Sequence, residues 1–139
     1  TQQQKNITRL PITFAVIHCN SQTNASQVIN KLYQSCMKGS SGLGRILKPK
    51  DCSRLVLYLK DINLPKPDKY QTIQLISFLQ QLISHKGFYD PVTLEFVHLD
   101  EKIQLVCSML PSTYIGRHEI TQRFTAIARI LAIDCPTSE

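Results

Sequence analysis

An α/β layered sheet with mainly parallel strands is predicted by three observations. Short apolar runs alternate with amphipathic stretches in the order strand, helix, strand, helix, strand. Leu55-Val56-Leu57-Tyr58-Leu59 is apolar at every position, as expected of a parallel strand covered on both faces. Gln71 to His85 sets Leu75, Ile76, Leu79, Leu82 and Ile83 on one helical face with no interior Gly or Pro.

The first element is a buried strand over Pro11 to Cys19, a β-branched-rich run bounded by Pro and by the polar Asn20-Ser21-Gln22-Thr23-Asn24. Ser21, Thr23 or Asn24 caps the next helix, because each side-chain oxygen accepts from an orphan amide of the first turn. That helix runs from Ala25 to Met37, with Val28, Ile29, Leu32, Tyr33 and Cys36 on one face. Lys38 to Arg45 supplies the glycines for the tip of a small hairpin.

The strand at Leu55 stops abruptly at Lys60-Asp61-Ile62-Asn63, and polar residues just past such a strand sit where open α/β sheets hold ligands. Pro65 and Pro67 bar an immediate helix. Lys86-Gly87 ends the long helix, Gly taking the left-handed conformation. Phe88 to Leu99 alternates around Asp90-Pro91 and reads as an inserted hairpin outside the core. Ile103 to Ser108 is another buried strand, Pro111 to Gly116 a loop, and Glu119 to Phe124 a helical turn or two. Thr125 to Ile133 fits a helix by spacing, yet the β-branched Thr125, Ile127, Ile130 and Ile133 and the closing Cys135-Pro136 favour a final strand there.

The 139 residues, 42% hydrophobic and 19% charged, suit one globular domain and exclude a disordered tail. No apolar run approaches the roughly 18 residues of a membrane span. Thr1 to Asn6 has neither an initiator Met nor the order of a signal peptide, so a piece of a longer chain is expected. The formal charge of +6 raises the prospect of a nucleic-acid or acidic protein partner. The basic residues are scattered, however, and lack interleaved aromatics, so no nucleic acid is expected. Cys19, Cys36, Cys52, Cys107 and Cys135 form an odd set without a C-x-x-C pair, which argues against zinc and for reduced, packed thiols in a reducing compartment.

An apolar strand ending in a carboxylate is half of a nucleotide site, and Asp61 is the candidate. The other half, G-x-x-x-x-G-K-[ST], is absent; Gly39 to Arg45 matches it only in glycine content.

Leu55 to Pro65 resembles the Walker B segment of a dynein heavy chain. Asp68-Lys69-Tyr70, Phe78-Leu79-Gln80-Gln81, Gly87-Phe88-Tyr89, Ile103-Gln104-Leu105-Val106 and Gly116 to Phe124 follow in order and resemble the third AAA+ module of the dynein ring. The likeness runs from about Ile12 to Pro136; Lys-Asp-Ile-Asn, Ser108-Met109 and Gly116-Arg117-His118 are most similar to the cytoplasmic dynein 2 class. The resemblance implies a single partial AAA+ module, the large parallel-sheet subdomain without its phosphate-loop strand and helical lid. It further implies an ATP-driven, minus-end-directed microtubule motor of the cytoplasm and cilium, serving retrograde intraflagellar transport.

Residue by residue, the resemblance puts Lys60 where the family usually has the Mg²⁺-holding Asp, and Asp61 where it usually has the water-polarising Glu. A Lys cannot ligate a cation and Asp is one methylene shorter, so hydrolysis at this module is not expected. Lys60 either brings positive charge to phosphates or extends to solvent. Leu110 falls at the sensor Asn position and cannot hydrogen-bond a phosphate. Arg123 matches the arginine finger that would serve the preceding module, and Arg117 would help at the same boundary. Asn63 completes the nucleotide-facing set, and His118 is expected to cap or pack. The implied cofactors are ATP or ADP with Mg²⁺ in the intact parent, and none in the isolated chain. The implied partners are neighbouring modules of the same heavy chain and, through the parent, microtubules and dynein subunits.

The family's sheet order, five, one, four, three, two, implies that the phosphate-loop strand precedes Thr1 and leaves a slot beside Ile103 to Ser108. Either Thr125 to Ile133 fills that slot or two copies pair through exposed strand edges. The rivals are a basic α/β adaptor that binds nucleic acid or protein, supported only by the charge, and a non-motor AAA+ remodelling ATPase, disfavoured by Asp61 to Pro65 and the Phe88 to Leu99 insertion.

Overall fold

A computed structural model of the chain describes residues 11–137; the polar stretch Thr1 to Asn6 lies outside them. Two sheets and two main helices share one core. The first sheet is three-stranded and parallel: β1 (Ile12–His18) and β7 (Ile103–Ser108) flank β4 (Arg54–Lys60). This is the mainly parallel α/β arrangement expected, and it matches the large subdomain of an AAA+ module in part.

Helix α1 (Ala25–Ser35) begins at Asn24, whose side chain accepts from the Gln27 amide at 3.3 Å. Among the three capping candidates Asn24 is therefore the one used. Thr23 instead accepts from the Asn20 amide at 2.8 Å and is buried. The helix stops two residues earlier than expected, because Cys36 and Met37 already belong to β2 (Cys36–Ser41). β2 pairs with β3 (Gly44–Pro49) in the small hairpin foreseen from its glycines.

Helix α2 (Gln74–His85) starts three residues later than expected and buries Leu75, Ile76, Leu79 and Leu82. Its end is set by Lys86 rather than Gly87: Lys86 has the left-handed backbone, with φ of 51°. Gly87 is needed for space, since a Cβ there would overlap the Val97 carbonyl oxygen and come within 2.7 Å of the Phe96 ring.

β5 (Gly87–Tyr89) and β6 (Phe96–Leu99) form the expected hairpin, but it is not outside the core. Phe88 is fully buried and packs edge-on against Tyr33 and Phe78, with ring centroids 6.1 and 5.8 Å away. β6 also runs parallel to β3, so two segments far apart in sequence make a second, four-stranded sheet, β2-β3-β6-β5.

Ala15, Leu55, Leu57 and Leu59 join Val28, Leu32, Leu75, Ile76, Leu79 and Phe88 in one buried cluster. The opposite face of the three-stranded sheet is not covered by the described residues. Phe14 there is 66% exposed and Val106 42% exposed, while Val56 and Tyr58 are half-buried. β4 is thus buried on one face only, and β7 is a half-buried edge strand.

The final strand is absent. Thr125 and Ile127 belong to helix α3 (Gln122–Ile127), held down by the buried Phe124, and residues 128–137 form neither helix nor strand. Nothing from Thr125 to Ile133 pairs with β7, so this segment does not fill the slot beside Ile103 to Ser108. The β-branched residues lack a neighbouring strand to pack on, and Ile130, Leu131 and Ile133 are exposed.

Candidate functional site

The carboxyl ends of β1, β4 and β7 lie side by side, with Lys60 in register between His18 and Ser108. β4 is ended by its own backbone. The Asp61 and Ile62 amides both donate to the Ser108 carbonyl, at 2.9 and 3.2 Å, and Asp61 takes the left-handed conformation with φ of 64°. Asp is among the few residues that visit that region readily. A turn follows, in which the Leu64 amide donates to the Asp61 carbonyl at 3.2 Å.

That turn aims Asp61 and Asn63 at the loop beyond β7. Arg117 Nη1 donates to Asp61 Oδ1 at 2.9 Å and to Asn63 Oδ1 at 3.0 Å. The Arg117 and Asp61 side chains are only 11% and 24% exposed, so this ion pair is largely withdrawn from water. Asn63, 1% exposed, passes its own Nδ2 hydrogen to the Leu110 carbonyl at 2.6 Å. His118 contributes its backbone amide, which donates to the Asn63 carbonyl at 2.9 Å. Every buried side-chain polar atom among the described residues has a partner.

Of the residues singled out from sequence, Asp61, Asn63, Leu110 and Arg117 come together. Leu110 takes part through its carbonyl, and the residue is 43% exposed. Lys60 stands apart from this cluster: it is exposed, it shares the open sheet face with Tyr58 by strand alternation, and no ion pair engages it among the described residues. Arg123 is exposed on α3, and no hydrogen bond or ion pair links it to the Asp61 cluster.

Several participants went unmarked in the sequence. Ser108 supplies the carbonyl that ends β4, and its hydroxyl meets the Tyr58 hydroxyl at 2.8 Å on the open face. Cys19 lies near Asp61, and Cys107 lies near Cys19. Burial, with the nearby Asp61 charge, raises the Cys19 thiol from 9.0 to about 11. Burial, with Cys19 beside it, raises Cys107 from 9.0 to about 12. Both are therefore neutral thiols that pack as small hydrophobes. Of the five cysteines, Cys19, Cys36 and Cys52 are buried, Cys107 is partly buried, and Cys135 is exposed rather than packed.

The donor set does not fit a magnesium ion. Lys60 has no lone pair to offer, Asp61 is engaged by a guanidinium, and no group of three or more His, Cys, Asp or Glu side chains among the described residues converges to hold a metal. Nor is any helix among the described residues long and apolar enough to cross a membrane.

Comparison with known proteins agrees with this architecture. Residues 2–136 match the family described as the P-loop containing dynein motor region. The chain is 54% identical over 125 residues to mouse cytoplasmic dynein 2 heavy chain 1, covering 90% of this chain and 3% of that protein. Against the Chlamydomonas reinhardtii cytoplasmic dynein 2 heavy chain 1 it is 49% identical over 129 residues, again 3% of the relative's length. A Caenorhabditis elegans cytoplasmic dynein heavy chain is 36% identical over 121 residues, covering 86% of this chain and 3% of that protein. The chain belongs to the P-loop containing dynein motor region family.

Proposed function

We propose that the chain acts as part of the third AAA+ module in the ring of a dynein heavy chain of the cytoplasmic dynein 2 class, with a regulatory and mechanical role. The parent is then an ATP-driven, minus-end-directed microtubule motor, working in retrograde intraflagellar transport in the cilium. One observation carries this reading: Lys60-Asp61-Ile62-Asn63 ends the middle strand of a parallel sheet, beside the end of β7, where open α/β sheets hold ligands. The chemistry there is degenerate. Lys60 offers positive charge in place of a metal ligand, Leu110 offers no side-chain hydrogen bond, and Asp61 is paired with Arg117. ATP with Mg²⁺ is then hydrolysed by other modules of the parent, ATP or ADP being bound there or here, and this module transmits strain between its neighbours within the heavy chain.

Arg123, exposed on α3, is then free to cross a module boundary and stabilise phosphate charge on the preceding module. The test is nucleotide turnover at that preceding module in the heavy chain carrying this segment, with and without Arg123→Ala. A fall of about a hundredfold is expected for a lost transition-state donor. Unchanged turnover would remove the finger assignment.

In isolation, the outer edges of β1 and β7 leave backbone groups available to a second copy. Sedimentation across a concentration series is expected to show a dimer, and a monomer at high concentration would exclude edge pairing.

A further inference from the structure

Arg117 sits in a loop that follows β7, yet its guanidinium is spent on the loop that follows β4. We propose that Arg117 is a positioning residue whose pairing with Asp61 and Asn63 latches these two loops together and sequesters the Asp61 carboxylate from water. The inference rests on the reading of Asp61 as the residue at the water-polarising position, and it adds a physical reason for silence at this module besides the shortened side chain.

The geometry supports a latch more than a surface ion pair. Exposed pairs contribute little because water screens them and long side chains lose entropy. Here Arg117 is 11% exposed and bridges two acceptors from a single nitrogen, and both acceptors belong to one turn whose first residue has a left-handed backbone. The latch has further backbone ties: the His118 amide to the Asn63 carbonyl at 2.9 Å, and the Asp61 amide to the Ser108 carbonyl at 2.9 Å. A carboxylate so held has one oxygen occupied and is fixed in direction, so it cannot turn to orient a water elsewhere. Freeing it requires movement of the 111–118 loop or another partner for the guanidinium. Of the groups facing the carboxylate, Arg117 carries the positive charge and Cys19 is a neutral thiol.

The test uses this chain and no nucleotide, so its outcome is independent of the motor reading. Carbodiimide-driven coupling of an amine to carboxylates, read residue by residue by mass spectrometry, reports how available Asp61 is. Arg117→Met is expected to raise Asp61 labelling about tenfold, the scale of a charge-assisted hydrogen bond, while the exposed Asp51 is unchanged. Arg117→Lys, which keeps the charge, is expected to restore part of the protection. Equal Asp61 labelling in the parent chain and in folded Arg117→Met would overturn the latch, as would Arg117→Lys labelling no differently from Arg117→Met. Should Arg117→Met fail to fold, Asp61→Asn serves in its place. Hydrogen exchange at the His118 amide is expected to quicken about tenfold while α2 amides stay as they were, and an unchanged rate would equally overturn the proposal.

Discussion

The Asn63 side-chain amide donates to the Leu110 carbonyl at 2.6 Å, across 47 residues of sequence, and so ties the turn after β4 to the segment after β7. Asn63 is 1% exposed and uses both ends of its amide, accepting from Arg117 at 3.0 Å. Removing the side chain leaves Arg117 with Asp61 alone and takes the amide donor from the Leu110 carbonyl. Asn63→Ala is therefore expected to cost about 1 to 3 kcal/mol, the range for one partly buried hydrogen-bonding group left without its partner. Asn63→Asp keeps the Arg117 contact but sets a carboxylate oxygen against the Leu110 carbonyl and a second buried negative charge beside Asp61, and should cost at least as much. Urea unfolding of the two variants measures both, and a loss below about 0.5 kcal/mol for Asn63→Ala would place the amide outside the folding unit.

The buried thiols make the chain sensitive to alkali. Burial lifts Cys19 and Cys36 from 9.0 to about 11 and Cys107 from 9.0 to about 12. A raised folded value gives stability that is full below the unfolded value of 9.0 and is lost as pH climbs toward about 11 to 12. The loss comes because the unfolded chain releases its thiol protons first. At neutral pH the exposed Cys135 is expected to react with a thiol reagent well before Cys19, Cys36 or Cys107. Asp61→Asn removes the neighbouring charge that adds to the burial effect on Cys19, so Cys19 alone should react faster in that variant. Mass spectrometry of partially alkylated protein resolves each site, and equal Cys19 rates would show that burial acts alone.

On the acid side the tie between α1 and the β5–β6 hairpin is the one to watch. The Tyr33 hydroxyl donates to the buried Asp90 carboxylate, which also accepts from the Val92 amide at 2.8 Å and the Thr93 amide at 3.2 Å. Tyr33, then the two amides, hold Asp90 below the usual carboxylate range. A lowered folded value gives stability that is present above the ordinary 3.8 and lost as pH falls below it. Tyr33→Phe removes the largest cause, so the variant should be less stable near neutrality yet lose less on acidification. Denaturant midpoints compared between neutral pH and pH values below the ordinary carboxylate range measure this, and parallel curves would contradict it.

The strands and main helices were legible because their signals are local. The apolar run at Leu55 and the heptad-like spacing from Leu75 to Ile83 each name an element without help from the rest of the chain. What covers each face was not legible. A run apolar at every position gives no alternation, so Val56 and Tyr58 look as buried as Leu57, though only Leu57 is. Arg117 was legible as a charged residue in a glycine loop, but its partner Asp61 lies 56 positions away, beyond any local pattern. The last segment failed for the opposite reason: β-branched residues near Ile130 suggested a strand, and a strand needs a neighbour that this fold does not offer there.

Gly87 shows how such long-range packing reaches back into a single residue choice. Its backbone does not need the left-handed region, which Lys86 occupies instead with φ of 51°. What it needs is the absence of a side chain, because β6 crosses so closely that a methyl group would overlap the Val97 carbonyl oxygen and approach the Phe96 ring at 2.7 Å. The ring tip is flexible, but the carbonyl belongs to the β5–β6 ladder and cannot move without disturbing the pairing of Phe88 with Val97. Phe88 is fully buried against Tyr33 and Phe78, so the strain would pass into the shared core. Gly87→Ala is accordingly expected to destabilise by about 1 to 3 kcal/mol, the range for overpacking a tight site. Lys86→Gly, which relaxes the left-handed position without adding atoms, should be neutral or slightly stabilising. Thermal unfolding of the two variants side by side separates space from backbone conformation; if Gly87→Ala melted with the parent chain while Lys86→Gly melted lower, the roles assigned to the two residues would be reversed.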